Sequence, residues 1–91
     1  MSAKVRIPTQ LRALAGGVPE VEVQASTVGE ALKALDVAHP GFTERLFDES
    51  GELRRFVNVF LGEEDVRFLD GLSTAVPEGA VVSVVPAVAG G

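Results

Sequence analysis

Two short segments near the amino terminus alternate polar and apolar residues, which is typical of strands that bury one face. They span residues 4–7 and 20–25, and the turn-forming residues Gly16, Gly17 and Pro19 lie between them. Because turn formers separate two alternating runs, the pattern predicts a β-hairpin.

The apolar period changes after residue 26. Thr27 and Glu30 have the spacing of a capping box, in which each side chain bonds backbone N–H groups at a helix start. The apolar residues that follow at helical spacing are Val28, Ala31, Leu32 and Leu35. We therefore expect a helix of about three turns with one buried face, ending at Pro40 and Gly41.

Residues 42–55 carry no clear period and contain turn-forming residues at 48–51. This segment is predicted to be an irregular crossover, with Phe42, Leu46 and Phe47 as its apolar anchors.

The residue pattern in the second half of the chain predicts strands. Residues 56–61 predict a third strand, 62–65 a turn and 66–68 a short fourth strand. Residues 80–85 are the most β-branched segment, as expected of a central strand, and Pro86 should end it because proline donates no backbone hydrogen bond.

A hairpin, a helix and further strands imply an α+β protein with one mixed sheet. We expect a β-grasp, or ubiquitin-like, fold: four to five strands with one main helix on one face. Residues 1–85 would form the domain and residues 86–91 a flexible diglycine tail. Alternation assigns eight residues to the helix side, namely Val5, Ile7, Val21, Val23, Val57, Val59, Val82 and Val84.

The opposite face of the predicted sheet would carry a partner-docking surface near the tail. Its residues are Arg6, Phe56, Phe60, Val81 and Val85. An open sheet face usually presents polar residues to water, so the apolar members suggest contact with another protein. The alternative is that residues of the crossover cover these rings.

Composition and charge restrict the function. At 91 residues, with 46% hydrophobic and 23% charged residues, the chain has the composition of one folded domain. Its net charge of −5, with no basic cluster larger than Arg54–Arg55, argues against nucleic acid. The absence of cysteine excludes thiolate chemistry by the chain itself. No apolar run reaches the roughly 18 residues of a membrane span, so we expect a cytoplasmic protein without a membrane partner.

The last two residues, Gly90 and Gly91, are the main functional clue. Glycine has no Cβ, so a diglycine can pass a channel too narrow for other residues. The terminal carboxylate could then enter another enzyme's active site.

Several segments of the chain resemble the bacterial ubiquitin-like sulfur carriers, the MoaD, ThiS and CysO proteins. They are Ile-Pro-Thr at 7–9, Leu-Arg at 11–12, Arg-Phe-Val-Asn at 55–58, Glu-Asp-Val-Arg-Phe at 64–68 and the ending at 85–91. The resemblance spans nearly the whole chain and is strongest to the CysO branch.

That resemblance implies a protein co-substrate, not an enzyme, with no bound cofactor. An E1-like adenylating enzyme of the MoeB, ThiF or MoeZ type would use ATP to activate Gly91, which then becomes a thiocarboxylate. Gly90, Ala89 and Val88 would form the tail that enters the partner's active site.

For the CysO branch, the implied partners are a cysteine synthase of the CysM type and a metal-dependent peptidase. A MoaD-type role in molybdopterin synthesis, with the large subunit of molybdopterin synthase, is the alternative pathway.

Three other functions are possible. An enzyme would have to use His39 with Asp36 or the carboxylates at 63–65, which lack ligand spacing and are more simply a helix-end residue and a solvated turn. A noncovalent binding module would use Phe56 and Phe60. A protein modifier would join activated Gly91 to a lysine amine.

Overall fold

The computed structural model describes residues 2–55 and 57–86, which form a five-stranded sheet in the order β2-β1-β5-β3-β4. The strands are β1 Ser2–Arg6, β2 Glu20–Gln24, β3 Val57–Leu61, β4 Glu64–Asp65 and β5 Ala80–Pro86. The α-helices are α1 Val28–Ala38 and α2 Phe42–Leu46, and 3-10 helices cover Thr9–Ala15, Val66–Phe68 and Gly71–Ser73.

The sheet is mixed, and its last strand lies in the middle. β1 pairs antiparallel with β2 and parallel with β5, whereas β3 pairs antiparallel with β5 and β4. The predicted hairpin, the central position of the last strand and the β-grasp class are confirmed.

α1 begins with the two predicted capping residues, Thr27 and Glu30. The Glu30 carboxylate, however, bonds to Ser26, one residue before the position expected in a capping box. The Thr27 hydroxyl accepts a hydrogen bond from the Glu30 N–H at 3.2 Å. The Glu30 carboxylate reaches back to the N–H of Ser26 at 2.9 Å and to the Ser26 hydroxyl at 2.7 Å. Both side chains therefore satisfy donors at the start of the helix.

The core lies between α1 and one face of the sheet. The four apolar residues predicted for the buried face of α1 are buried. All eight residues assigned to the helix side are buried except Val21, which is half-buried. Alternation therefore identified the inner face of the sheet correctly.

The crossover is more regular than predicted. Its anchors Phe42, Leu46 and Phe47 are buried, but the first two belong to the short helix α2. Asp36 of α1 holds the start of α2, because its carboxylate accepts hydrogen bonds from the N–H groups of Gly41 at 3.1 Å and Thr43 at 3.0 Å. Gly41 has a φ of 115°, which side chains rarely permit.

The predicted fourth strand was wrong in position. β4 is Glu64–Asp65, and residues 66–68 form a 3-10 turn. The Asp65 carboxylate accepts a hydrogen bond from the Arg67 N–H at 2.9 Å, and this cap starts the turn directly after the two-residue strand.

The connection between β1 and β2 also differs, because it contains the 3-10 helix Thr9–Ala15 where only turn residues were anticipated. Leu11 and Leu14 of this helix pack against the core. Apolar residues at short spacing can serve either a loop or a 3-10 turn, so periodicity alone does not separate them.

Candidate docking site at the end of the last strand

The carboxyl end of β5 is flanked by a strand on one side only. β1 reaches Arg6, which lies opposite Ser83. On the other side β3 continues, so that Asn58 lies opposite Val85 and Val57 opposite Pro86. β5 therefore includes Pro86, one residue beyond the predicted end, at a level where proline is tolerated because one side has no ladder.

A groove of about 390 Å³ borders the side that β1 leaves open. The parallel register, continued by two residues, would bring Pro8 beside Val85, and proline has no N–H to extend the ladder. The chain instead turns into the first 3-10 helix, whose Arg12 side chain donates to the carbonyl oxygen of Ile7 at 3.1 Å. The groove lining includes Arg6, Arg12, Ser83, Val84 and Val85.

On the other side, the Arg67 guanidinium holds the edge of β3. It donates to the carbonyl oxygens of Val57 at 2.6 Å and Arg54 at 3.0 Å, and to the amide oxygen of Asn58 at 2.7 Å. β4 pairs only with Phe60 and Leu61, so Arg67 supplies donors where no strand lies. The start of β3 is therefore fixed beside the end of β5.

The outer face of the sheet brings together four of the five residues predicted for docking, namely Arg6, Phe60, Val81 and Val85. Arg6 and Phe60 lie opposite Ser83 on its two sides, and Val81 and Val85 flank Ser83 along β5 on the same face. Val85 is 44% exposed, whereas Phe60 and Val81 are partly buried. This arrangement is the one that alternation predicted.

Other calls lie outside the described residues. These are Phe56 of the docking surface and the tail residues Val88, Ala89, Gly90 and Gly91.

Sequence reasoning missed two residues at this site, and it missed the exposure of a third residue that lies beyond β4. Ser83 lies on the outer face opposite Phe60, and Asn58 lies on the same face opposite Val85. The two-residue alternation of strand side chains would have placed both residues there. Phe68 is 87% exposed on the turn after β4, although it was assigned to a strand. Its exposure could not be found from sequence, because it depends on the turn that Asp65 caps.

Basic side chains surround the carboxyl end of β5, although the net charge of the whole chain is −5. Arg6, Arg12 and Arg67 surround it, and Arg6 forms a 3.1 Å ion pair with Glu20. That pair is 65% and 38% exposed at its two side chains, so it contributes little to stability. The guanidinium charge of Arg67 rests on neutral oxygens and is not cancelled by them.

Three carboxylates with shifted pKa values lie away from the strand end and serve the fold. A side-chain hydrogen bond from Ser26, the largest cause, lowers the pKa of Glu30. The backbone N–H of Thr43 lowers the pKa of Asp36, and the hydroxyl of Ser50 lowers that of Asp48. These groups stabilise turns and helix ends.

Three of the residues that an enzyme would have to use, namely His39, Asp36 and Asp65, have structural roles. His39 ends α1, with its N–H donating to the Leu35 carbonyl oxygen at 2.8 Å. Asp36 and Asp65 cap short helices. Among residues 2–55 and 57–86, no group of three or more His, Cys, Asp or Glu side chains could hold a metal ion.

In the described segments, no helix combines the length and the apolar character that crossing a membrane requires.

Comparison with known sequences places the chain in a family. The model of the ThiS family matches residues 5–91. The sulfur carrier protein CysO of Mycobacterium tuberculosis is 45% identical over 93 residues, covering 100% of both chains. A putative sulfur carrier protein of Archaeoglobus fulgidus is 34% identical over 91 residues, again covering 100% of both.

Solved structures agree with this assignment. CysO in the Amycolatopsis orientalis BexX/CysO complex superposes with a TM-score of 0.91 at 43% identity, covering 98% of this chain and 99% of that one. For SAMP1 of Haloferax volcanii the TM-score is 0.85 at 33% identity, with 100% of both chains covered. These relatives are named as carriers or modifiers and not as enzymes. The chain therefore belongs to the ThiS family, and it is similar over its full length to CysO sulfur carrier proteins.

Proposed function

We propose that this protein is a sulfur carrier. Its Gly91 carboxylate is adenylated by an E1-like enzyme and converted to a thiocarboxylate, which supplies sulfur for cysteine biosynthesis. The 45% identity to a CysO protein over the full chain supports the carrier role. The resemblance of residues 85–91 to CysO endings supports the identity of the reacting group.

One observation carries the proposal: β5 is held between β1 and β3 in the middle of the sheet and is paired as far as Pro86. Residues 87–91 therefore start from a fixed point. Five extended residues of about 3.3–3.6 Å each reach roughly 17 Å, enough to enter a neighbouring active site. Because the two terminal glycines have no Cβ, the end of the tail would be narrow enough to enter a tight channel.

The chemistry needs an activating step because a carboxylate is a poor acyl donor. A Gly91 oxygen attacks the α-phosphate of ATP and releases pyrophosphate, which leaves an acyl-adenylate. Hydrosulfide, delivered by a partner, then attacks the carbonyl carbon and AMP departs with its electron pair. The thiocarboxylate that results is nucleophilic at neutral pH. The carrier contributes its carboxylate and its surface and binds no cofactor of its own.

The outer face is the part of the carrier that would bind the activating enzyme, which we expect to be of the MoeB, ThiF or MoeZ type. Arg6, Phe60, Val81 and Val85 lie on this face next to the strand end, so docking there would direct the tail toward the nucleotide. A partly apolar centre with a charged rim is typical of protein interfaces.

Two further partners complete the proposed pathway. A cysteine synthase of the CysM type would present activated serine to the thiocarboxylate. A metal-dependent peptidase would then release cysteine from the carrier.

Mass spectrometry tests the proposal directly. The carrier is incubated with the adenylating enzyme, ATP and sulfide, and replacement of one oxygen by sulfur adds about 16 Da, as covalent activation of the carboxylate requires. Omission of ATP is the control and should give no gain. A carrier that never gains this mass contradicts the proposal.

Two alternatives have specific support. A putative molybdopterin converting factor subunit of Pyrococcus furiosus superposes with a TM-score of 0.72 at 25% identity. Small archaeal modifier protein 3 of Haloferax volcanii is 44% identical over 66 residues. Offering the loaded carrier activated serine, a molybdopterin precursor or a lysine-bearing protein separates the proposed function from the two alternatives. Activated serine or the molybdopterin precursor would take up sulfur, whereas the lysine-bearing protein would become joined to the carrier itself.

A further inference from the structure

Phe68 is the most exposed of the large apolar side chains in the described part of the molecule, at 87%. Leu69, its neighbour, is 39% exposed. Phe68 is the last residue of the 3-10 turn Val66–Phe68, which follows β4 at the edge of the sheet, and Leu69 comes directly after this turn. A phenylalanine this exposed contributes little to the core and is available for contact with another protein.

The turn holds Phe68 outward. Val66 is fully buried, and Arg67 points back to the carbonyl oxygens of Val57 and Arg54. The Leu69 N–H closes the turn by donating to the Val66 carbonyl oxygen at 3.0 Å, and the Asp65 carboxylate caps its start. The backbone that carries Phe68 is therefore fixed, so a partner that binds the ring has to order only its side chain.

The surroundings of Phe68 are acidic. Residues 63–70 contain four carboxylates and one basic residue, Arg67. Glu63, Glu64 and Asp70 are exposed, and the Arg67 guanidinium is directed at backbone oxygens and the Asn58 amide, not at a carboxylate. A surface that covers Phe68 would therefore gain by carrying lysine and arginine around an apolar pocket.

A recess of about 350 Å³ is lined in part by Val66 and Arg67 of the same turn. The rest of its apolar lining comes from Leu53 and Leu72, and Glu52 also lines it. Phe68 is not among the lining residues. The turn therefore contributes both an exposed ring and part of the wall of a recess, two features that a complementary partner surface can fit.

We propose that Phe68 and Leu69 form a second docking point for the adenylating enzyme, which receives them in an apolar pocket ringed by basic residues. This inference rests on the proposed sulfur-carrier function. The outer face next to β5 directs the tail, and a second contact beyond β3 fixes rotation of the carrier about the strand axis. Aromatic anchors at the centre of small pockets often supply most of the binding energy.

Steady-state adenylation of the full-length carrier tests this, with pyrophosphate release as the readout. Phe68→Ala should raise the KM for the carrier about tenfold or more, with kcat nearly unchanged, because the ring contributes to binding and not to chemistry. Val37→Ala is the matched control, since Val37 is 83% exposed on α1. It should leave KM unchanged, and thermal unfolding should show both variants folded.

Charge reversal tests the predicted chemistry of the pocket. Glu63→Lys with Glu64→Lys should also raise KM and weaken its dependence on salt, as loss of an attractive charge pair requires. A Phe68→Ala carrier that is adenylated with the wild-type KM overturns this inference and leaves the proposed function standing. A wild-type carrier that is never adenylated overturns both.

Discussion

Val57 lies opposite Pro86 in the antiparallel pairing of β3 with β5, and this is the last described pair of that ladder. The Val57 carbonyl oxygen accepts a 2.6 Å hydrogen bond from Arg67. The residue opposite the start of the tail is therefore held from two directions, by β5 on one side and by the guanidinium on the other.

Replacing Arg67 should loosen this edge. We expect Arg67→Ala to lower the free energy of unfolding by about 1–2 kcal/mol, because three oxygens lose a charged donor but regain some water. Arg67→Lys keeps the charge but offers a single nitrogen in place of a planar fork, so it should recover less than half of the loss. Urea unfolding measures both. An alanine variant with the wild-type midpoint would show that the hydrogen bonds to Arg67 add no net stability.

The outer face gives a second prediction. Val85→Asp puts a charge beside Asn58 at the strand end, where Val85 is 44% exposed. The substitution should cost about 1 kcal/mol of stability through lost β-propensity. It should raise the KM for adenylation about tenfold if the face is the docking surface. Val37→Asp on α1 is the control for a charge placed at an exposed valine, and equal KM values for the two variants would contradict the assignment.

The free energy of unfolding should decrease as the pH falls into the acidic range. The pKa of Asp36 is lowered from its ordinary value of 3.8, chiefly by the Thr43 N–H, and the pKa of Glu30 is lowered from 4.5 by Ser26. Because the folded values lie below the unfolded ones, these carboxylates contribute their full stability above the unfolded values. They lose that stability as the pH falls through the folded values.

The free energy of unfolding, measured in urea from pH 7 to pH 3, should therefore be nearly constant above about pH 5.5 and decline below about pH 5. Asp36→Asn should lower stability at pH 7 and flatten the decline. A steeper decline in the variant, or stability that rises in acid, would contradict the sign.

Gly29 gives a prediction in which two effects compete. A Cβ at this helical position would lie 3.1 Å from the Leu72 carbonyl oxygen and 3.3 Å from its Cβ. Alanine gains about 1 kcal/mol in helix propensity, but the 3-10 helix Gly71–Ser73, which contains Leu72, must then move away. Because the nearer atom belongs to the backbone, we expect crowding to prevail and Gly29→Ala to destabilise the protein by about 0.5–1.5 kcal/mol. Thermal unfolding decides the sign, and a higher midpoint would mean that this 3-10 helix moves at little cost.

Periodicity predicted the parts of the fold that bury one face. α1 and the inner residues of β1, β2, β3 and β5 follow periods of 3.6 and 2, so their positions and orientations could be read directly. The central place of β5 was predicted from its β-branched residues. The structure confirms each of these elements.

The errors occur where local hydrogen bonds decide the structure. Val66, Arg67 and Phe68 alternate like a strand, yet the Asp65 cap turns them into a 3-10 helix. The exposure of Phe68 follows from that turn and could not be predicted without it. The outer face of the sheet was predicted in outline because strand alternation is independent of such details, and the same alternation extends to Ser83 and Asn58. Which residues lie opposite one another on that face required the register.

Deleting Gly91 is the sharpest test of the tail. The variant keeps β5 and its pairs with β1 and β3, so the free energy of unfolding should stay within about 0.5 kcal/mol of the wild type. It should gain no sulfur, because the shortened carboxylate falls one residue short of the nucleotide. It should nevertheless inhibit loading of the wild-type carrier competitively, with an inhibition constant near the wild-type KM, since its docking surfaces are intact. Gly90→Ala is the matched variant of full length, and the added Cβ should slow its loading without abolishing it. A truncated carrier that gains the sulfur mass would show that the last residue is not the group presented to the enzyme. One that fails to compete would show that binding depends on the tail and not on the docking surfaces.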